Sequence, residues 1–356
     1  VYQYDESKEQ QQEWKIKEAG SGCYYIYSEN SGLYLTAQNN SAQNGSRIIG
    51  TAKNENDAQK FKITNEVRRF YQEGTYGRSG LAVIGDYRGT NLKYYKFGKG
   101  ENVLFATYSI HGFEDDYNQD GKELTYIAEC FKTYLQESTE SNIFYNWQIY
   151  LFPTLNPDGQ NYGWTNNGPG RTTLISSAPN RQGIDMNRNW QINGQEYVKY
   201  KEARNYNGTE GFQAYEARAL RDFLLEKKAT AGQTILIDLH GWLNETIGDN
   251  GLGSYYRNQY NMQKHISTYG RGYLINWARN SLGGTRTARS ALVELPPVYS
   301  HQELLSRQFE HKYIEATMNV LRENGTSINT YSTRNKIRST RKKYVNSQMQ
   351  YKTALA

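Results

Sequence analysis

Several apolar runs of this 356-residue chain end at a side chain that can bind a metal or carry a proton. NVLFATYSI leads into His111, with Glu114 three residues later, TILIDL leads into His240, and ALV leads into Glu294. Two imidazoles and one carboxylate leave the fourth position of a tetrahedral zinc open, which is the pattern of catalytic zinc sites. The residue types therefore predict that His111, Glu114 and His240 bind one Zn²⁺ per chain, with Glu294 nearby.

The polar stretch EDDYNQDG, which begins at Glu114, offers a second metal possibility. Asp116, Asn118, Asp120 and Gly121 match the first half of a calcium loop. The twelfth position of such a loop needs a bidentate glutamate, and here it is isoleucine. We therefore interpret the stretch as a polar turn that starts a helix. Because a lone His-x-x-Glu pair occurs readily by chance, the zinc prediction depends on the third ligand from another strand.

An alternation of strands and helices must bring these residues together. Apolar residues at helical spacing occur in GKELTYIAECFKTYLQES, in a segment at 212–227, and from about Glu303 to Glu323. The pattern predicts an α/β fold with a mostly parallel mixed sheet sandwiched by helices. Because ligands bind beyond the carboxyl ends of strands in such sheets, we expect the three strands to deliver their residues to one edge.

Further motifs follow in order between about residues 75 and 325: HGFE, LNPDG, GIDMNRNW, LHGW, INW and LVEL. In this order they resemble the zinc carboxypeptidase family of carboxypeptidase A. The resemblance implies a carboxypeptidase-like fold and zinc bound by His111, Glu114 and His240. It also implies that Glu294 is the general base for a zinc-activated water. The other histidines match no motif: His265, His301 and His311.

The same resemblance implies how a substrate is held. Arg171, twelve residues after the LNPDG glycine, would polarise the scissile carbonyl. Asn187 and Arg188 would bind the free carboxylate of the substrate's last residue. The mobile tyrosine of the family would be Tyr269, one residue away from the expected spacing, with Tyr273 as the alternative. An arginine suits a carboxylate because its two parallel N–H groups match the two oxygens.

Some positions depart from the family pattern. Phe113 replaces an arginine of digestive members, Gly241-Trp242 replaces Ser-Tyr, and Ile275 at the specificity position is uncharged. The chain looks most similar to the bacterial branch that resembles γ-D-glutamyl-diaminopimelate peptidases. A peptidoglycan peptide or muropeptide is therefore the expected substrate. The alternatives are a conventional carboxypeptidase acting on protein C-termini and an inactive peptidase-fold protein that binds carbohydrate.

The N-terminal part differs in composition from the rest. Gln12-Glu13-Trp14 is echoed by Gln59-Lys60-Phe61, and aromatic runs flank a Ser-Glu-Asn-Ser-Gly turn. These residues resemble part of a ricin-type β-trefoil lectin, which implies a small all-β segment. Thr36 stands where the family often has a sugar-binding aspartate, so glycan binding by this segment is one of two open possibilities, the other being an inert remnant. The expected organisation is a lectin-like segment at 1–67, a linker at 68–80, a catalytic domain at 81–326 and a basic tail at 327–356.

Composition limits the remaining classes of function. The net charge is +6, but seven basic and no acidic residues follow Ser327, which leaves 6 − 7 = −1 for the preceding chain. The tail is a solvated extension or an adhesive segment for an anionic polymer, and no basic-aromatic spacing indicates nucleic acid.

A mean hydropathy of −0.87 and the lack of a long apolar run predict no membrane span. Cys23 and Cys130 are expected to be unpaired, and an extracellular or wall-associated location is expected although no leader follows Val1.

Overall fold

The computed structural model describes residues 14–40, 47–61, 70–83, 89–174, 182–284 and 286–325. The chain divides into two compact units, residues 1–67 and residues 68–356. The basic tail predicted at 327–356 lies outside the described residues.

The described residues of the first unit form an antiparallel sheet of four short strands in sequence order. The strands are β1 (Lys15–Gly20), β2 (Cys23–Tyr27), β3 (Tyr34–Ala37) and β4 (Ile48–Thr51). The rings of Tyr27 and Tyr34 stack at 5.1 Å between centroids across β2 and β3, as expected for a cross-strand aromatic pair. The prediction of an all-β segment resembling part of a β-trefoil is confirmed.

The glutamine of the Gln-Lys-Phe pattern holds this unit together. Gln59 is completely buried. Its Nε2, which carries two hydrogens, lies within hydrogen-bond distance of three acceptors: Thr36 Oγ1 at 3.1 Å, Thr51 Oγ1 at 3.0 Å and the Ala52 carbonyl at 2.9 Å. Its Oε1 accepts the Asn54 N–H at 2.9 Å. All hydrogen-bonding groups of the amide are thus used, and the hydroxyl at position 36 points into the interior of the unit.

The strands in the described part of the second unit are β5 (Gln72–Arg78), β6 (Asn91–Phe97), β7 (Asn102–Tyr108), β8 (Trp147–Phe152), β9 (Thr165–Thr172), β10 (Thr234–Gly241), β11 (Glu245–Gly248), β12 (Lys264–Ile266) and β13 (Arg289–Leu295). All of them except β9 form an eight-stranded mixed sheet in the order β12-β11-β13-β10-β7-β8-β6-β5. The four central strands β13, β10, β7 and β8 run parallel to one another, and β11, β6 and β5 are antiparallel to their inner neighbours. The predicted mixed α/β fold is confirmed.

Helices cover both faces of this sheet, so its central strands are buried on both sides and read as continuous apolar runs. On one face Tyr108 meets Tyr313 at 5.4 Å between ring centroids, and Phe131 meets the same ring at 5.8 Å. On the other face Phe105 and Leu292 belong to one buried cluster with the apolar residues of α5 (Tyr215–Lys227) and α7 (Leu274–Ser281). The helices are α1 (Gly80–Val83), α2 (Gly121–Glu137), α3 (Ser141–Asn146), α4 (Pro157–Tyr162), α5 (Tyr215–Lys227), α6 (Asn250–Tyr260), α7 (Leu274–Ser281), α8 (His301–Ser306) and α9 (Phe309–Asn324).

Two segments differ from the pattern expected from sequence. The stretch 68–80, interpreted as a linker, contains β5, an edge strand whose Tyr76 packs against Phe152 and Phe223. The single helix expected from about Glu303 to Glu323 is two helices, because Gln308 between them has a φ of +55°. None of the helices within the described ranges has the length and apolar character needed to cross a bilayer.

Candidate active site

The side chains singled out by sequence meet at one edge of the large sheet. His240 lies near the end of β10, between β7 and β13, and the three strands are parallel. Glu294, near the end of β13, is the register partner of His240. His111 and Glu114 follow the end of β7 in a tight turn. The carboxyl ends of three neighbouring parallel strands therefore supply all four side chains.

His111, Glu114 and His240 form a compact buried cluster. Each has a ligand atom within 4.8 Å of those of the other two, and none is more than 2% exposed. His111 Nδ1 lies 3.1 Å from Glu114 Oε2, and His240 Nδ1 lies 3.4 Å from Glu114 Oε1. Both rings thus turn the same nitrogen toward the carboxylate between them.

The opposite nitrogen of each ring contacts another buried carboxylate. His111 Nε2 lies 3.0 Å from Asp185 Oδ1. His240 Nε2 lies 2.9 Å from Asp238 Oδ2, and the other oxygen of Asp238 accepts a hydrogen bond from Thr107 at 2.7 Å. When a histidine donates its Nε2 proton to a carboxylate, the Nδ1 lone pair is left for a metal. The two rings are therefore oriented as metal ligands.

The charges of the cluster favour a bound cation. Burial alone would raise the pKa of Glu114, but His111 and His240 outweigh it and hold that pKa well below its usual range. Burial would lower the pKa of His240, yet Asp238 and Glu114 raise it far above the ordinary histidine value. Without a metal, Asp238 and Glu114 therefore hold a proton on His240. A divalent ion would satisfy the same demand for positive charge and would displace that proton.

Several buried polar atoms at this edge have no hydrogen-bond partner in the described part of the chain. They are Glu114 Oε1, Asp185 Oδ2, Glu294 Oε2, and Nε and Nη1 of Arg171. Buried polar atoms are normally paired, so a group of orphans in one place indicates a ligand site. Imidazole nitrogens and a carboxylate oxygen are the donors that Zn²⁺ prefers. The residues present therefore fit zinc.

Arg171 lies beside the cluster on β9 and is 6% exposed. Its Nη1 is 3.8 Å from Glu114 Oε2 and 3.9 Å from Asp115 Oδ1, and its Nε is 3.9 Å from Asp185 Oδ2. Burial would lower the pKa of this guanidinium, but the carboxylates raise it, so it stays charged. At these distances the arginine is held by charge, and its Nε and Nη1 have no hydrogen-bond partner in the described structure.

A second arginine is held by aromatic rings in the turn Met186–Arg188. Asp185 caps this turn by accepting the Asn187 N–H at 2.9 Å. Arg188 Cζ lies 4.3 Å from the ring centroid of Tyr273 and 5.8 Å from that of Tyr200. Such stacking orients the guanidinium, and its Nη1 also donates to the carbonyl of Asn187 at 3.1 Å. Asn187 is less free, because its Oδ1 accepts the Leu274 N–H at 3.0 Å and its Nδ2 lies 3.5 Å from His240.

Tyr269 is not brought to this group. Its hydroxyl donates to the carbonyl of Ser290 at 3.3 Å. Ser290 is the second residue of β13 and Glu294 the sixth, which separates them by about 13 Å along the strand. Of the two candidate tyrosines, Tyr273, the residue just before α7, is the one that contacts Arg188.

Comparison with known proteins agrees with the fold. Residues 121–246 match the family model described as zinc carboxypeptidase, and residues 10–73 match the model of a ricin-type β-trefoil lectin-like domain. The chain contains a zinc carboxypeptidase domain. The family and the fold support a hydrolase.

Three similar proteins illustrate the relationship. Bacteriocin BCN5 of Clostridium perfringens is 33% identical over 310 residues, 85% of this chain and 31% of that protein. Carboxypeptidase B of Astacus astacus is 32% identical over 150 residues, 40% of this chain and 48% of that protein. Bovine thrombin-activatable fibrinolysis inhibitor, solved with tick carboxypeptidase inhibitor, superposes with a TM-score of 0.54 at 16% identity, over 71% of this chain and 90% of that chain. This chain thus spans about a third to a half of these two sequence relatives.

The carboxypeptidase domain also uses residues that the sequence motifs did not single out. Asp238 stands two positions before His240 in a strand, and alternation puts both side chains on the same face. Asp185 stands in the GIDMNRNW motif, two positions before Asn187. Both could have been found as buried acids close in sequence to predicted site residues.

The departures from the family pattern are all buried in the domain. Phe113 and Trp242 are each 2% exposed, and Ile275 has no exposed surface. Ile275 belongs to the apolar core on the α7 face of the sheet. The remaining histidines lie outside the cluster: His265 contacts Thr246, His301 contacts Glu123 and His311 contacts Glu310.

Proposed function

We propose that this chain is a zinc-dependent peptidase that cleaves a peptide bond next to a residue with a free carboxylate, and that its substrates are peptides of bacterial peptidoglycan. One observation carries the proposal. Two imidazoles and a carboxylate converge in a buried site beside unpaired atoms of Glu294 and Arg171.

His111, Glu114 and His240 would hold one Zn²⁺. The ion would supply Lewis acidity, which polarises a carbonyl and makes water easier to deprotonate. Asp185 and Asp238 orient the two imidazoles from behind. Residues in such positions typically change metal affinity or activity about 10- to 100-fold when they are replaced.

Glu294 is the proposed general base. Burial raises the pKa of its carboxyl, although His240 acts in the opposite direction. Its Oε2 has no partner in the described structure, so this oxygen is free to take a proton from the attacking water and pass it to the leaving amine. A positioned acid–base group of this kind contributes about 10²- to 10⁴-fold in rate.

Arg171 is the proposed donor to the oxygen that becomes negatively charged during attack. Its Nε and Nη1 have no partner in the described structure and its charge is fixed, so no reorganisation is needed when the negative charge develops. A donor placed in this way is worth about 3 kcal/mol of transition-state stabilisation.

Arg188 is the proposed contact for the free carboxylate of the substrate. Tyr273 and Tyr200 hold its guanidinium in place, so less conformational freedom is lost on binding. We assign the role of the family's mobile tyrosine to Tyr273, because the hydroxyl of Tyr269 forms its hydrogen bond at the far end of β13. Asn187 would position the imidazole of His240 as well as the substrate.

Two observations support peptidoglycan peptides over protein C-termini. A relative that aligns over most of this chain is named a bacteriocin, and the cell wall is the peptide-bearing structure that such a protein meets first from outside. The second is the ricin-type lectin-like segment that precedes the peptidase in the sequence, since wall peptides are attached to glycan strands. A location outside the cell or at the wall follows from this substrate.

The test uses the purified chain loaded with zinc. We expect about one zinc per chain by metal analysis, and new products from purified muropeptides detected by mass spectrometry. Hydrolysis of blocked dipeptides alone would favour a conventional carboxypeptidase. Zinc binding without cleavage of either substrate, or glycan binding as the sole activity, would contradict the proposed function.

A further inference from the structure

The acidic turn after Glu114 is organised around one buried carboxylate, that of Asp120. Its Oδ1 accepts the backbone N–H of Glu114 at 2.5 Å. Its Oδ2 accepts the backbone N–H groups of Asp115, Asp116 and Tyr117 at 3.0, 2.9 and 3.4 Å. Asp120 has no exposed surface. Since both oxygens face N–H donors, the sequence pattern that resembles half a calcium loop marks a folded turn.

A fifth donor reaches the same carboxylate from a distant part of the chain. Trp242 Nε1 donates to Asp120 Oδ2 at 2.9 Å, and its ring is 2% exposed. Trp242 comes two residues after His240. One carboxylate thus joins the turn that carries Glu114 to the strand end that carries His240.

We propose that Asp120 is a positioning residue that sets the arrangement of Glu114 relative to His240, and so tunes zinc affinity. The inference rests on the proposed function, because it concerns the same zinc ligands. Four successive N–H groups that point into one concavity need an anionic acceptor. Without it they would be buried and unpaired, and the turn would rearrange. Glu114 would then move relative to His240, to which it is now 3.4 Å away.

The position of Trp242 explains why the turn is tied to this particular strand. The Glu114 turn and the end of β10 belong to different parts of the chain, 122 residues apart at the Asp120–Trp242 contact. The bond between them lies in a buried site, where hydrogen bonds to a charged group are strong. It therefore acts as a brace between two ligands that come from separate strands.

The main test compares Asp120→Asn and Trp242→Phe with the parent. Asparagine puts an NH₂ group among N–H donors, and phenylalanine keeps an aromatic ring but removes the indole donor. For Asp120→Asn we expect the Zn²⁺ dissociation constant from chelator competition to rise about 10- to 100-fold, and the visible absorption spectrum of the Co²⁺-loaded protein to change. Trp242→Phe should show a smaller change in the same direction. The double variant should lose less than the sum of the two, because both remove the same bond.

Asp116→Asn is the matched control, because it removes a carboxylate from the same turn and leaves the five bonds to Asp120 in place. Its zinc affinity and Co²⁺ spectrum should match those of the parent. Parent-like zinc affinity and Co²⁺ spectra in both Asp120→Asn and Trp242→Phe would overturn the inference, and so would an equal loss in Asp116→Asn. If Asp120→Asn does not fold, Trp242→Phe decides alone. A parent protein that binds no zinc would instead refute the proposed function.

Discussion

Replacing Glu294 with glutamine should separate proton transfer from metal binding. Glutamine keeps the size of the side chain but cannot take up a proton. The loss of a positioned general base lowers kcat by about 10²- to 10⁴-fold, which is about 3 to 5 kcal/mol of barrier. Because Glu294 is not one of the three proposed ligands, zinc content should stay at that of the parent.

The same variant has a second signature, which needs no substrate. Burial raises the pKa of Glu294 in the metal-free chain. The native state then keeps this proton at pH values where the unfolded chain, with a pKa of about 4.3, has released it. The free energy of unfolding therefore falls by up to about 1.4 kcal/mol per pH unit above that value, until the native pKa is reached. The unfolding midpoint of metal-free Glu294→Gln should therefore exceed that of the metal-free parent by more at pH 8 than at pH 4.

Glu245→Gln is the matched control. Glu245 is the register partner of Glu294 on β11 and is 3% exposed, so it tests the same substitution in the adjacent strand. We expect its kcat to stay within about threefold of the parent. Rates come from chromatography of cleaved muropeptides, zinc from metal analysis and midpoints from circular dichroism. The reasoning is refuted if Glu294→Gln keeps more than a tenth of parental kcat, or if both variants lose activity equally.

Further predictions concern other buried groups. Asp238→Asn should weaken zinc binding about 10- to 100-fold in chelator competition, because His240 loses its carboxylate partner; unchanged affinity would exclude that role. Arg188→Lys should lower kcat/KM for a peptide with a free terminal carboxylate about 10- to 100-fold, since a charge-assisted pair is worth about 1.5–3 kcal/mol. An equal loss for the same peptide with an amidated C-terminus would contradict carboxylate binding. Burial raises the pKa of Glu216 to about 7, so above pH 7 this group lowers stability by about 3 kcal/mol relative to pH 4. Glu216→Gln should therefore stabilise the protein in urea unfolding at pH 8 and not at pH 4, and an equal effect at both would show that the carboxyl does not titrate.

The sequence was most informative where a single chain segment carries the signal. Strands buried on both faces read as apolar runs, and the side chain at the end of each run could be identified directly. The mixed α/β fold and the convergence of His111, Glu114 and His240 at one sheet edge could be predicted in this way. The second copy of the glutamine-x-aromatic pattern, which begins at Gln59, also indicated the small all-β unit.

Features that depend on contacts between distant segments could not be predicted. The edge strand β5 is rich in glycine and polar residues, so its composition resembles a linker, and only its packing against Phe152 and Phe223 distinguishes it. The choice between Tyr269 and Tyr273 depends on where α7 begins, which spacing alone leaves uncertain by a residue or more. The role of Asp120 depends on backbone N–H groups, which a sequence motif does not display.

Because Glu294 and His240 are register partners in adjacent parallel strands, their separation is set by the ladder spacing of about 4.8 Å. Helices, loops and even the substrate pocket can diverge without moving the two relative to each other. If the pairing of β10 and β13 shifted by one residue, the side chain of Glu294 or His240 would lie on the opposite face of the sheet. A redesign of specificity should therefore change the turns around the site. It should avoid deletions or insertions within β10 or β13.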